Sequence, residues 1–250
     1  MTIKKILIIF LTVYFFTGNN KIVNSVYAKD ILKVGERMIY ALKWNSIRVG
    51  ANIVELEGIE KIKTNDTYHV VSQTYTQGIV NIFFRVKDRV ETFIDTETYC
   101  PLLYKKDIRE GNYRRKAVYE FNHNDGTVDT LDGRYAIPKG VQDPLSILAY
   151  FRSLDIKVGD TINTEYFSGS ETRNLWIKVI KKEIVNTPLG DFNTNVVSFS
   201  VGKQERSYLK TQVNLWVWFT DDDKKIPIFA KCNTSFGVIT GTLIDYVEGE

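Results

Sequence analysis

Two histidines, two cysteines and a set of strand carboxylates are the groups in this 250-residue sequence with the right chemistry for a reaction. Acyl transfer needs a nucleophile with a base within hydrogen-bond reach. His69 alternates with Tyr68 and Val70 in a strand-like run, and His123 sits at the edge of the turn NHNDG. No G-x-S-x-G elbow exists for either imidazole to serve. Glycoside hydrolysis needs two carboxylates flanking the scissile bond. Glu55, Glu57, Glu91, Glu120 and Glu183 all fall on strand-like segments, where charged faces of antiparallel sheets ordinarily meet water. Asp221, Asp222 and Asp223 offer hard oxygen ligands, yet they lack the alternating ligands, central glycine and closing glutamate of a calcium loop. Lys224 and Lys225 follow at once, which reads as a solvated hairpin turn. The scattered cysteines and histidines make no zinc spacing. The expectation is a protein without metal, cofactor or catalytic residues.

Aromatic side chains are the remaining candidates. In QVNLWVWFT (212–220), Trp216 and Trp218 share one face, with Val213, Leu215 and Val217 on the other. Both faces of that strand are apolar, so it is expected to be covered on both sides. With Tyr150 and Phe151 of a nearby helix, these tryptophans form the candidate ligand-binding set for a lipid or glycan. A large aromatic core without a ligand is the competing reading.

The elements that must position these residues follow from periodicity. In VKDRVETFI (86–94), Val86, Val90 and Ile94 face one way, and Lys87, Arg89 and Glu91 the other. In YRRKAVYEF (113–121), Tyr113, Ala117, Tyr119 and Phe121 oppose Arg114, Lys116 and Glu120. Alternation of this kind marks strands with one dry face. Similar segments lie near 36–44, 47–57, 67–76, 102–109, 160–167, 173–185, 192–202, 207–219, 226–234 and 238–247. Turn residues separate them, including Glu57-Gly58, Asn65-Asp66, Asn124-Asp125-Gly126, Asp132-Gly133 and Phe236-Gly237. So many antiparallel strands must close on themselves or stack to hide their edges. The expected fold is all-β: one large antiparallel meander forming a closed or nearly closed barrel over residues 29–250.

One segment, VQDPLSILAYFRSL (141–154), breaks the pattern. Asp143 suits an N-cap and Pro144 the first helical position. Pro144, Ile147, Leu148, Phe151 and Leu154 then form one apolar stripe, predicting an amphipathic helix over 143–154 that plugs a barrel end or packs on one wall.

Residues 1–28 read as an export signal. Lys4 and Lys5 precede an apolar run from Ile6 to Phe16, and Val26-Tyr27-Ala28 offers cleavage after Ala28. The run is shorter than the roughly 20 apolar residues of a spanning helix. An uncleaved N-terminal anchor is the alternative. Lys4, Lys5 and Lys21 carry the whole formal surplus of +3, so the processed chain is neutral and lacks the basic face nucleic acid requires. In an oxidising compartment Cys100 and Cys232 could pair as a disulfide, or lie buried as separate thiols.

Four stretches resemble an exported bacterial family, the domain of unknown function numbered 3108. They are GERMIYALKWNSIRVGANIVEL (35–56), DPLSILAYFRSLDIKVGDT (143–161), TPLGDF (187–192) and LWVWFTDDDKKIPIFAKCNTSFGVITGTL (215–243). Asp143, Leu145, Ser146, Tyr150 and Arg152 approximate the family's Asp-x-Leu-Ser-x-x-x-Tyr-x-x-Arg pattern, with the last spacing one residue shorter. The resemblance implies an exported, β-barrel-like protein and carries no catalytic residues to transfer. The functional expectation is a non-enzymatic protein of the periplasm that binds a lipid or glycan or assists envelope assembly. The alternatives are an integral outer-membrane barrel, and a cell-wall glycan hydrolase using strand carboxylates.

Overall fold

The computed structural model describes residues 31–202, 215–235 and 237–250. The export signal and its cleavage site after Ala28 lie outside the described residues. Strands β1 (Arg37–Trp44), β2 (Ile47–Ile62) and β3 (Asn65–Thr76) lead to a short helix α1 (Val80–Phe83). Strands β4 (Lys87–Asp95), β5 (Pro101–Glu110), β6 (Tyr113–Asn122), β7 (Thr127–Thr130) and β8 (Gly133–Ala136) follow. Helix α2 (Ser146–Ser153) separates these from β9 (Thr161–Phe167), β10 (Thr172–Thr187), β11 (Gly190–Gly202), β12 (Leu215–Thr220), β13 (Pro227–Thr234) and β14 (Gly237–Val247).

All fourteen strands belong to one sheet, in the order β8-β7-β6-β5-β4-β3-β2-β1-β14-β13-β12-β11-β10-β9. Every pairing between these strands is antiparallel, and β1 joins the first half to the last through β14. The expected meander is therefore present. Its closure differs from a hydrogen-bonded barrel, because edge strands β8 and β9 do not pair with each other. Side chains fill that seam. Phe167 of β9 packs against Tyr119, Phe121 and Tyr135 at ring separations of 5.9, 6.1 and 6.0 Å. The backbone of Gln142 bridges the end of the β9 edge at Tyr166, donating to the Glu165 carbonyl at 2.8 Å and accepting from the Phe167 amide at 2.9 Å. A segment that takes up part of an edge leaves less of it open to another chain.

Gly58 does not end a strand as its turn-like neighbourhood suggests. It marks a shift of register between Leu56 and Gly58 inside the long β2, where a residue without a side chain tolerates the bulge. The expected strand over 207–219 is present as β12 from Leu215, and residues 203–214 lie outside the described residues.

Cys100 and Cys232 do not form a disulfide. Cys100 directly precedes β5 and Cys232 lies on β13, with β4, β3, β2, β1 and β14 between those strands in the sheet. Burial pushes the Cys232 thiol up to about 12 and also raises Cys100, so neither is poised as a thiolate.

Candidate functional site

Helix α2 lies inside the curve of the sheet. The regular helix is shorter than the predicted 143–154, and Pro144 and Leu145 form a turn ahead of it. Asp143 still caps that turn: its Oδ1 accepts from the Leu145 and Ser146 amides at 2.6 and 2.8 Å. Its Oδ2 accepts from the Thr92 hydroxyl of β4 at 2.5 Å, tying the helix start to the wall. Burial raises the Asp143 carboxyl to about 6, against the opposing pull of these donors. Asp143→Ala is expected to cost about 1–2 kcal/mol, the loss of a cap, whereas Asp143→Asn keeps the acceptor and costs less; urea unfolding midpoints measure both.

The helix is buried on more than the single expected stripe. Ile147, Phe151 and Leu154 join a cluster with Leu175, Ile177, Val197, Phe199 and Phe219 on the β9–β13 wall. Leu145 and Ala149 join another with Leu56, Tyr68, Val70 and Ile94 on the β2–β4 wall. An element packed on both sides divides the interior, and what it leaves open is a cavity of about 300 Å³. That volume is at the lower end of small-molecule sites.

The wall is largely aliphatic: Met38, Leu42, Val54, Leu56, Val70 and Leu148 are representative. At the plugged end lies a buried ion pair. Arg152 of α2 gives Nη1 and Nη2 to Glu36 Oε2 and Oε1 at 2.6 and 2.7 Å, with both residues under 5% exposed. Arg152 Nε also donates to the Lys224 carbonyl at 3.0 Å, and the Tyr246 hydroxyl donates to Glu36 Oε1 at 3.2 Å. Glu36 precedes β1 and Tyr246 lies on β14, so the pair clamps the helix to the two strands that join the halves of the sheet.

The other end carries two cationic side chains and the Asp88 carboxyl. Lys106 and Arg115 line the cavity from β5 and β6, without a carboxylate in ion-pair reach among the described residues. Burial and the Arg115 guanidinium push the Lys106 ammonium down to about 8. Its Nζ lies 5.1 Å from the Tyr119 ring centre, a cation–π position that partly replaces lost hydration. Arg115 is solvent-exposed, so the cavity reaches the surface beside the β5–β6 turn. Close by, Asp88 of β4 also lines the cavity, and Glu110 at the end of β5 is fully buried with its carboxyl beside that of Asp88. Burial and the neighbouring Asp88 carboxyl raise Glu110 to about 8.

The residues expected to bind a ligand fall elsewhere. Trp216 and Trp218 are on the outer face of β12, because Leu215 and Val217 take the inward positions. Trp218 packs edge-on against Phe229 at 5.0 Å and donates its indole N–H to Glu183. Phe151 is core, in contact with Phe199 and Phe219 at 5.9 and 4.3 Å, and half-buried Tyr150 touches both clusters flanking the helix. None of the four lines the cavity.

Nor do the candidate chemical groups converge there. His69 is held on the outer face between Glu60 and Glu91 at 2.8 and 2.9 Å, stacked on Phe93. Arg89 reaches Glu91 and Glu57 in the same group. His123 contacts the Pro101 carbonyl from its turn at 2.9 Å. Asp221 pairs with Lys182, and Asp222 accepts from Thr220 and the Lys225 amide, as in a closed hairpin turn.

The family model for a protein of unknown function, DUF3108, matches residues 39–244. The chain belongs to the DUF3108 family. No curated protein matches it. The DUF3108 fold is shared with a β-barrel-like DUF1849 protein from Brucella abortus, at TM-score 0.57 and 12% identity over 85% of this chain and 97% of that one. Looser likenesses are a candidate exported protein with a YmcC-like fold from Bacteroides fragilis and a candidate lipoprotein from Parabacteroides distasonis. The first has TM-score 0.42 and 7% identity over 90% of this chain and 100% of that one. The second has TM-score 0.41 and 8% identity over the same shares. No described helix is long and apolar enough to cross a membrane.

Proposed function

We propose that this DUF3108 chain is an exported, non-enzymatic envelope protein that holds the apolar tail of an anionic amphiphile in its lumen. The cavity carries the reading: an aliphatic interior suits a hydrocarbon tail, and Lys106 and Arg115 at its surface end suit a negative head group. A glycan would need polar partners all along the wall, where Asn52, Ser72 and Thr74 are already bonded to one another and Met38, Leu42, Val54 and Val70 stand beside them. Charge on the outer face speaks against an integral barrel, since Arg89, Glu57 and Glu91 occupy positions that a bilayer-embedded strand gives to apolar residues. The carboxylates proposed for hydrolysis are spread over that same outer face, away from the lumen.

Fluorescence titration with cis-parinaric acid, in detergent-free buffer without vesicles, tests the reading. Saturable one-to-one binding is expected. Val54→Trp, which fills the lumen, is expected to weaken it by at least about tenfold, a change of ~1.4 kcal/mol, with an unchanged far-UV spectrum. If the wild-type protein neither binds the probe nor carries lipid in native mass spectra after purification from its own envelope, the reading falls.

A further inference from the structure

Strand register places the β1–β2 turn, the β3–β4 connection and the β5–β6 turn at one end of the sheet, the end where the cavity reaches the surface. Trp44 pairs with Ile47, Gly50 with Thr76, Val86 with Glu110, and Glu110 with Tyr113. The β3–β4 connection, QGIVNIFFR (77–85), contains α1 and three of the most exposed large apolar side chains of the described residues. Ile79, Ile82 and Phe83 are 70, 78 and 82% exposed. Ile47, in the adjacent turn region, is 62% exposed.

The connection is not a loose loop. The Thr76 hydroxyl donates to Asn81 Oδ1 at 3.1 Å and accepts from the Val86 amide at 2.9 Å. The Gln77 amide donates to the Val49 carbonyl, and the Gly111 amide to the Arg85 carbonyl, at 2.9 and 2.8 Å. Val80 packs inward on the core cluster of Met38, Tyr40 and Leu42. The ring of Phe84 lies over Gly111, whose φ of 51° and missing side chain make room for it. The fold thus fixes the base of this segment and turns its greasiest residues to solvent, where each costs free energy unless something covers it.

The charges around it indicate what covers it. Arg48, Arg85, Lys87, Arg114 and Arg115 are exposed on the three turns and their flanks, without an ion-pair partner among the described residues. The acidic residues beside them, Asp88 and Glu110, are buried. Apolar side chains at a tip ringed by unpaired cations match the interface of an anionic bilayer, where the tip enters the acyl boundary and each Lys or Arg is attracted to lipid phosphates. We propose that the β3–β4 connection is a membrane-docking tip, through Ile79, Ile82 and Phe83, that seats this end of the barrel on an anionic lipid surface. The proposal rests on the surface alone and stands whether or not the lumen holds a lipid.

Vesicle flotation of the processed protein, purified after export, tests it. Flotation with vesicles of phosphatidylcholine and phosphatidylglycerol is expected, with affinity about tenfold weaker on phosphatidylcholine alone and falling as salt rises. The pair Ile82→Asp and Phe83→Asp changes exposed side chains only, and is expected to abolish flotation while leaving the thermal midpoint and parinaric acid binding unchanged. Phe83→Trp is expected to shift its emission to the blue on anionic vesicles. Absence of flotation, or flotation unchanged by the Ile82 and Phe83 substitutions, overturns the proposal. So does self-association in sedimentation that those substitutions abolish, which would assign the patch to a second copy of the chain.

Discussion

Replacing Arg152 with methionine is expected to lower unfolding stability by about 3–5 kcal/mol, because it strands the Glu36 carboxylate in the interior. Glu36 is 4% exposed, and the Tyr246 hydroxyl would be its main remaining donor among the hydrogen bonds now made to it. The loss would also free the Lys224 carbonyl, which accepts from Arg152 Nε. A surface ion pair of similar geometry would contribute roughly 0–1 kcal/mol, so the size of the effect separates a buried clamp from a decorative one. The double variant Glu36→Gln with Arg152→Met removes both charges and is expected to recover more than half of the loss, since a buried pair is far less costly to delete than to break. Guanidinium unfolding of the four species closes the cycle. A single-variant loss below about 1 kcal/mol would mean that water reaches the pair and that α2 is not clamped by it.

That pair shows where sequence reading succeeds and where it stops. Alternation in 86–94 and 113–121 places β4 and β6 correctly, and the punctuation of Asp143 and Pro144 finds the helix, because both signals are local. The partner of Arg152 is not local: Glu36 lies 116 residues away and meets it only once the meander has curled round the helix. The same limit applies to Trp216 and Trp218. Both faces of β12 are apolar, and which face turns inward is decided by its pairing with β11 and β13, where Leu215 and Val217 take the inner positions. The short β7 and β8 have four residues each, too few for periodicity to declare itself between two turns. Other features were legible in retrospect. Arg115 interrupts the apolar face of Tyr113, Ala117, Tyr119 and Phe121, and Asp88 interrupts that of Val86, Val90 and Ile94. Lys106 sits between Tyr104 and Ile108 in the same register. A charge on the dry face of a strand must be desolvated, paired or lining a cavity, and all three of these line the cavity.

Glu110→Gln is expected to stabilise the protein at neutral pH, by on the order of 3 kcal/mol, although its amide only repeats the hydrogen bond that the protonated carboxyl gives Asp88. The folded protein holds the Glu110 proton up to about pH 8, because ionisation would put a charge on a fully buried side chain beside the Asp88 carboxyl. The unfolded chain releases the same proton near an ordinary glutamate pKa of about 4.3. Between those values the unfolded state binds fewer protons than the folded one, so stability falls as pH rises, by about 1.4 kcal/mol per unit. The contribution is fully present below about pH 4 and is gone above about pH 8. Glutamine keeps the shape of the protonated side chain and can donate its amide hydrogen to Asp88. It has no proton to lose, and so escapes the penalty. The variant and wild type should therefore have equal stability near pH 4 and diverge steadily toward pH 8. Below about pH 6 both proteins should share a further slope of similar size over a narrower window, where Asp143, also raised by burial, exchanges its own proton. Urea unfolding at intervals across this range reads the effect directly. Parallel curves for the two proteins would show that Glu110 is already ionised in the fold, and the closed carboxyl pair beside the cavity would then have to be redrawn as a hydrated one.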